Sequence, residues 1–271
     1  MGPGGSLHIV CCPPRPCHHG RVALLPGAEP FAFDGAGDCP AVLLCHGFTG
    51  SPQSLRPWGE HLSGQGFTVH CPRLPGHGSR WQDMNKTRWP DWYDTLDAEL
   101  GRLRKRGRPV VVGGLSMGGT LALRLAELHP EIAGLVLVNP SLLTERKDAK
   151  VLPLLSRVVP SLAGVANDIA KPGAREVAYD RLPLKAAASL QQLWKVTRAE
   201  LAKVTMPVLL YRSANDHVVE PASARLLHTA LGSADLTEVV LERSYHVATL
   251  DHEAPTIFDG SVDFIRRVSQ Q

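Results

Sequence analysis

The sequence predicts an α/β fold: a mostly parallel sheet flanked by helices, with a helical cap inserted late in the chain. Three observations carry this expectation. Short apolar β-branched runs alternate with amphipathic helical patterns, which is the signature of βαβ units. The rhythm breaks between about residues 140 and 205 and then resumes. One strand turns into a helix through Gly114-Leu115-Ser116-Met117-Gly118-Gly119, at a point where parallel sheets expose side chains at their carboxyl edge.

The elements follow in order. Arg21 to Phe33 offers two short strand-like runs around Pro26-Gly27. Ala41-Val42-Leu43-Leu44-Cys45 is apolar throughout, so it reads as a strand buried on both faces. Leu55 to Gly64 is a helix with Leu55, Trp58 and Leu62 on one side. Phe67 to Cys71 is the next strand, ended by Pro72. Trp89 to Arg106 is a helix whose Trp92, Leu96, Leu100 and Leu103 face inward. Pro109 to Gly113 is a buried strand, and Thr120 to His129 a helix with Leu121, Leu125 and Leu128 at helical spacing. Gly134 to Val138 is another strand. After the interruption come Val208-Leu209-Leu210-Tyr211, a helix over Ala222 to Leu231, a strand over Leu236 to Leu241 and a last helix over Ala254 to Val268.

The chain therefore divides into an irregular tail (1–20), a core (21–139 and 206–271) and a cap insertion (140–205). The insertion is helical in flavour and punctuated by Pro153, Pro160, Pro172 and Pro183. Its place predicts that it lies over the carboxyl ends of the strands, where open α/β sheets build their sites.

Composition narrows the function classes. The 271 residues are 44% hydrophobic, enough for one large core, and the net charge of +3 is too mild to imply a nucleic-acid partner. The basic run Arg102-Leu103-Arg104-Lys105-Arg106 ends a helix, where cations oppose the dipole, and reads as a solvated terminus. No apolar stretch reaches bilayer length, and Leu7 to Cys12 is a poor signal-peptide core. Of six cysteines, Cys45 and Cys71 lie in strand patterns and read as buried thiols, which suits a reducing compartment and a cytoplasmic location. Cys11, Cys12, Cys17, His18 and His19 match no zinc spacing, so no metal is expected.

A bare Gly-x-Ser-x-Gly arises by chance in roughly one chain in ten of this length, so the strand–turn–helix frame gives it meaning. Such a turn lifts the serine Oγ clear of the backbone. A serine hydroxyl needs a base, and the base an orienting carboxylate. On this frame the partners follow in the order serine, acid, histidine, each just after a strand. Asp216 follows Val208–Tyr211 by a short loop, and His246 follows Val239-Val240-Leu241 in the same way. Ser116, Asp216 and His246 are the candidate catalytic residues. Asp251 is a weaker rival acid, because no strand delivers it. His217, His228 and His252 read as surface or structural residues. An oxyanion would receive the N–H of Met117 and, from the loop His46-Gly47-Phe48-Thr49-Gly50, that of Phe48. His46 reads as a brace for that loop, and His77 as structural.

With these residues placed, the chain resembles the α/β-hydrolases, and within them the bacterial monoacylglycerol lipase and carboxylesterase group. The likeness runs through His46–Gly50, Arg73-Leu74-Pro75-Gly76-His77-Gly78, Gly114–Gly119, Asp216-His217-Val218-Val219 and Ser244-Tyr245-His246-Val247-Ala248-Thr249-Leu250-Asp251. The resemblance implies an eight-stranded core, a helical cap, no cofactor, and a serine hydrolase that cleaves monoacylglycerols or short-to-medium acyl esters through an acyl-enzyme. A thioesterase or acyltransferase on the same triad is the alternative, and a non-catalytic binding protein of the same fold a remote one. It also implies a cap glutamate that holds the alcohol part. Glu176 looks like that residue, and a solvated helix carboxylate is its other reading. Leu152, Leu154, Leu155, Val158, Val159 and Leu162 suit an acyl channel or ordinary cap packing. An amphipathic cap suits transient contact with a lipid surface. Oligomeric state stays open.

Overall fold

The computed structural model describes residues 23–35 and 39–270. The expected tail, with its Cys/His cluster, lies outside the described residues.

The chain forms β1 (Phe31–Phe33), β2 (Ala41–Cys45), α1 (Arg56–Gly64), β3 (Thr68–Cys71), α2 (Trp81–Met84), α3 (Trp89–Arg104), β4 (Val110–Leu115), α4 (Met117–Leu128) and β5 (Gly134–Val138). There follow α5 (Leu152–Leu155), β6 (Ser161–Ala163), β7 (Arg181–Pro183), α6 (Leu184–Glu200), β8 (Val208–Ser213), α7 (Ala222–Ala230), β9 (Leu236–Leu241) and α8 (Ala254–Val268). Among the described residues the main sheet has seven strands in the order β1-β3-β2-β4-β5-β8-β9, one fewer than the resemblance implies. Only β1 is antiparallel to its neighbour. Of the two runs expected around Pro26-Gly27, only Phe31–Phe33 pairs into the sheet among the described residues.

Every residue of β2, β4 and β5 is buried, because helices cover both faces of the sheet. Alternate side chains feed two cores. Leu43, Val110, Val112, Leu135, Leu137 and Leu210 pack with α3, α4 and α6 on one face. Val42, Leu44, Val111, Val136, Val138 and Tyr211 pack with Trp58 and Leu62 of α1 and with Ile257 and Ile265 of α8 on the other. The inward stripe read for α3 holds: Trp92, Leu96, Leu100 and Leu103 are all buried.

The order of strands decides where the loops meet. From β2 the chain moves outward to β3, then returns to lay β4 on the opposite side of β2. The loops after β2 and β4 therefore leave the sheet side by side, at a topological switch point. Register keeps the carboxyl ends level, with Cys45 opposite Gly114, Leu115 opposite Val138, Val138 opposite Tyr211, and Ser213 opposite Leu241.

Helix in the stretch between β5 and β8 is concentrated in α6, which packs its Ala186, Leu190 and Leu193 into the α3–α4 side of the core. The prolines break the rest. Lys147–Val151 makes a 3-10 turn and Leu152–Leu155 one turn of α-helix, and Ser161–Ala163 pairs antiparallel with Arg181–Pro183. The basic run closing α3 is tied to acids: Arg102 to Glu99, Arg104 to Glu131 at 2.6 Å and Arg106 to Asp34 at 2.7 Å.

Candidate active site

Ser116 stands between β4 and α4 with φ 57° and ψ −119°. Such backbone costs about 1–3 kcal/mol and persists only where its surroundings hold it. Here the Ser116 N–H donates to Val138 O at 2.9 Å, and Ser116 O accepts from Gly119 and Ser141. The flanking glycines have a steric reason. A Cβ on Gly114 would lie 2.3 Å from the Gly118 carbonyl, and one on Gly118 would lie 2.0 Å from Cys45 O. The start of α4 thus rests directly on the ends of β4 and β2.

The loop after β2 lies against this turn. A Cβ on Gly47 would come within 3.4 Å of Ser116 Cβ. His46 braces the loop from behind: its Nδ1 contacts Gly47 O at 3.0 Å, and its Nε2 accepts the Leu74 N–H at 3.2 Å. That pair of bonds requires the neutral Nδ1–H tautomer, and burial pushes the His46 pKa down to about 4. His77 packs edge-on between His46 and Trp92, and burial holds its pKa well below the ordinary value. Phe48 sits in this loop, and Met117 begins α4, where the first N–H groups have no partner within the helix.

His246 and Asp216 arrive on the loops after β9 and β8. His246 Nδ1 and Asp216 Oδ2 are 2.8 Å apart, both side chains buried. The other oxygen, Asp216 Oδ1, accepts the N–H groups of Val218 and Val219, each at 2.8 Å. Burial pushes the Asp216 pKa up, but the His246 charge and these hydrogen bonds outweigh it and leave the carboxyl below its ordinary value. Burial likewise opposes charge on His246. The carboxylates of Asp216, Glu176 and Asp168 outweigh that and raise the imidazole above its ordinary 6.5.

Asn139 links the serine turn to the histidine loop. It directly follows Val138, the acceptor of the Ser116 N–H. Its Nδ2 donates to His246 O at 2.8 Å and to Ser213 Oγ at 3.0 Å, while its Oδ1 accepts the Ser213 N–H at 2.7 Å. Its φ of 44° lies in the left-handed region that asparagine tolerates. Sequence reasoning missed this residue. The available signal was a polar residue at the carboxyl end of an apolar strand.

Glu176 lies across the site from the segment before β7. A Cβ on Gly50 would fall 2.6 Å from its Oε1, so the carboxylate abuts the loop after β2. The segment is clamped there. Val177 N–H donates to Gln53 Oε1 at 2.9 Å, Tyr179 N–H to Thr49 O at 3.1 Å, and Tyr179 Oη–H to Gly76 O at 2.7 Å. Glu176 is not helical, which removes the helix-carboxylate reading. Burial pushes its pKa up to about 7.

The rival residues have other partners. Asp251 accepts the N–H groups of Ala170, Lys171, Tyr245 and His252. His228 pairs with Glu238 at 2.6 Å. His217, read as a surface residue, contacts Asp168 at 2.8 Å. Among the described residues no group of histidine, cysteine and acidic side chains is arranged to hold a metal.

The chain matches the family described as Serine aminopeptidase, S33 (Hydrolase_4) over residues 38–253. It is 38% identical over 252 residues to the thermostable monoacylglycerol lipase of Bacillus sp. (strain H-257), covering 91% of this chain and 98% of that one. It is 27% identical to a carboxylesterase of Bacillus subtilis (strain 168), covering 89% and 97%. Among solved structures, a chain from work on LipS and LipT, two metagenome-derived lipolytic enzymes, superposes with a TM-score of 0.87 at 37% identity over 90% of this chain and 100% of that one.

Proposed function

We propose, from the premise that this chain belongs to the serine aminopeptidase S33 family of α/β-hydrolases, that it is a carboxylic ester hydrolase acting on monoacylglycerols through Ser116, His246 and Asp216. The ester assignment rests on relatives named for lipase and carboxylesterase activity over most of the chain. The observation that carries the residue assignment is the 2.8 Å His246–Asp216 contact, joined through Asn139 to the left-handed Ser116 turn.

In this reading Asp216 accepts the His246 Nδ1–H, which leaves Nε2 as the base. Nε2 takes the Ser116 proton as Oγ forms a bond to the acyl carbon. The carbonyl oxygen becomes an oxyanion and receives the N–H groups of Phe48 and Met117. The tetrahedral species collapses, the bond to the alcohol oxygen breaks, and His246 returns the proton to that oxygen. Water, activated by the same base, then releases the fatty acid. No cofactor enters any step. Residues 140–205 act as the cap, and Glu176 accepts a hydrogen bond from a glycerol hydroxyl. Its place beside the loop that carries Phe48 supports this role.

The cap also supports brief contact with a lipid surface. Val151, Leu154, Val158, Leu162 and Val165 are exposed, with Lys147, Lys150 and Arg157 exposed in the same stretch. Leu154, Val158 and Leu162 are thus exposed and not packed inside the cap. Free buried Cys45 and Cys71 support a reducing, cytoplasmic location. No helix among the described residues is long and apolar enough to cross a membrane.

The test is fatty-acid release from a medium-chain monoacylglycerol, a matched simple ester and a matched thioester. We expect preference for the glycerol ester and a fall of at least about 10⁴-fold in Ser116→Ala. Glu176→Gln should lower kcat/KM for the monoacylglycerol about tenfold and leave the simple ester near wild type. An equal effect on both removes Glu176 from the alcohol site, and preference for the thioester replaces the lipase reading with a thioesterase.

A further inference from the structure

Asp168 lies in the irregular stretch between β6 and β7, and no step above uses it. Its side chain is 11% exposed, yet it reaches both loops that carry the base and the acid. Oδ2 accepts the N–H of His246 at 3.1 Å and that of His217 at 3.2 Å. Oδ1 lies 2.8 Å from His217 Nδ1. The Asp168 carbonyl accepts the Val247 N–H at 3.1 Å. One cap residue thus ties the loop after β8 to the loop after β9.

Its neighbour serves the other side of the site. Asn167 Oδ1 accepts the Glu176 N–H at 2.7 Å. Asn167 has φ 59°, a left-handed conformation that asparagine adopts more readily than most residues. Two consecutive side chains of the cap therefore hold the His246 main chain and the Glu176 main chain.

We propose that Asp168 is a positioning residue for His246: it fixes the main chain at the base and just after the acid, and it sets a further acidic group near the imidazole. The proposal rests on the Ser116–His246–Asp216 reading. An imidazolium forms when His246 takes the serine proton, and a fixed carboxylate nearby favours that cation. The groups facing His246 are Asp216 from the loop after β8 and Glu176 and Asp168 from the cap. His217 covers the outer side of Asp168 and packs edge-on against Tyr245, 4.6 Å between ring centres. Because Asp168 belongs to the cap, the alignment of base and acid depends on the cap's being docked.

The experiment measures kcat and KM of the full chain for p-nitrophenyl butyrate from about pH 5 to about pH 9, in wild type, Asp168→Ala, Asp168→Asn and Ser116→Ala. Asp168→Ala should lower kcat about tenfold or more, with KM within about twofold. Loss of a negative charge should also move the acid limb of kcat/KM to lower pH by a few tenths of a unit. Asp168→Asn keeps an acceptor for the His246 N–H, so it should recover much of kcat while retaining the displaced limb. A residue with a merely structural role would not separate the two readouts. Wild-type kcat in Asp168→Ala, or a wild-type acid limb in Asp168→Asn, overturns the proposal. If Asp168→Ala does not fold, the Asp168→Asn profile decides. Activity that needs Ser116 but ignores Asp168 sinks this proposal alone, whereas full activity in Ser116→Ala removes the triad reading and this proposal with it.

Discussion

Ser116, the proposed nucleophile, stands on a strained turn. Its left-handed backbone is held by neighbours in β5 and α4, so its cost is met by the sheet and not by the serine itself. The electrostatics of His246 set a testable pH dependence. The proposed base must be neutral to accept a proton, and its acidic neighbours, Asp216 foremost, hold the His246 pKa above 6.5. Protonation then removes activity from a higher pH downward than for an isolated imidazole. The acid limb of kcat/KM for a soluble ester should have its midpoint above 6.5, with a plateau on the alkaline side. A midpoint below that value would contradict the electrostatic account.

At the scale of elements, the close seating of α4 on β4 and β2 shapes the site. The ideal Cβ on Gly118 would be 2.0 Å from Cys45 O. That neighbour is main chain of a buried central strand and cannot swing aside. Gly118→Ala should therefore destabilise the protein by about 3 kcal/mol or more, read as a lower urea midpoint, and slow labelling of Ser116 by a fluorophosphonate. Unchanged stability would mean that α4 can slide on the sheet. This steric need was legible in the sequence as Gly-x-Ser-x-Gly at a strand–helix junction. The strands Ala41–Cys45 and Gly134–Val138 and the helix Ala254–Val268 were also legible with their bounds, because a run buried on both faces or an amphipathic stripe declares itself locally; the half-exposed edge strand Leu236–Leu241 was legible too. The short α2 and the β6–β7 pair were not, since each is stabilised by what it packs against.

Across the whole molecule, the stretch between β5 and β8, the proposed cap, joins the site to the surface. Its inner side presents Glu176 and Asp168 to the core loops, and its outer side exposes Leu154 at 68% and Val158 at 80%. Burial of one such side chain in lipid contributes up to about 1.5–3 kcal/mol. Leu154→Glu combined with Val158→Glu should weaken sedimentation with phosphatidylcholine–phosphatidylglycerol vesicles about tenfold or more. Hydrolysis of soluble p-nitrophenyl butyrate should stay near wild type, because both side chains lie on the exposed surface. Unaltered vesicle binding would remove the lipid contact.

The sequence by itself determined the alternation of strand and helix, the serine turn, and the order in which serine, acid and histidine leave their strands. These follow from local periodicity, glycine sterics and the rule that parallel strands share a carboxyl edge. Only the tertiary structure decided what surrounds them. The Asn139 bridge, the Asp168 tie between two loops and the fit of Glu176 against Gly50 join residues distant in sequence. A polar side chain in an irregular segment has no periodicity to reveal its partner, and the partner appears only when packing removes water and a hydrogen bond must replace it.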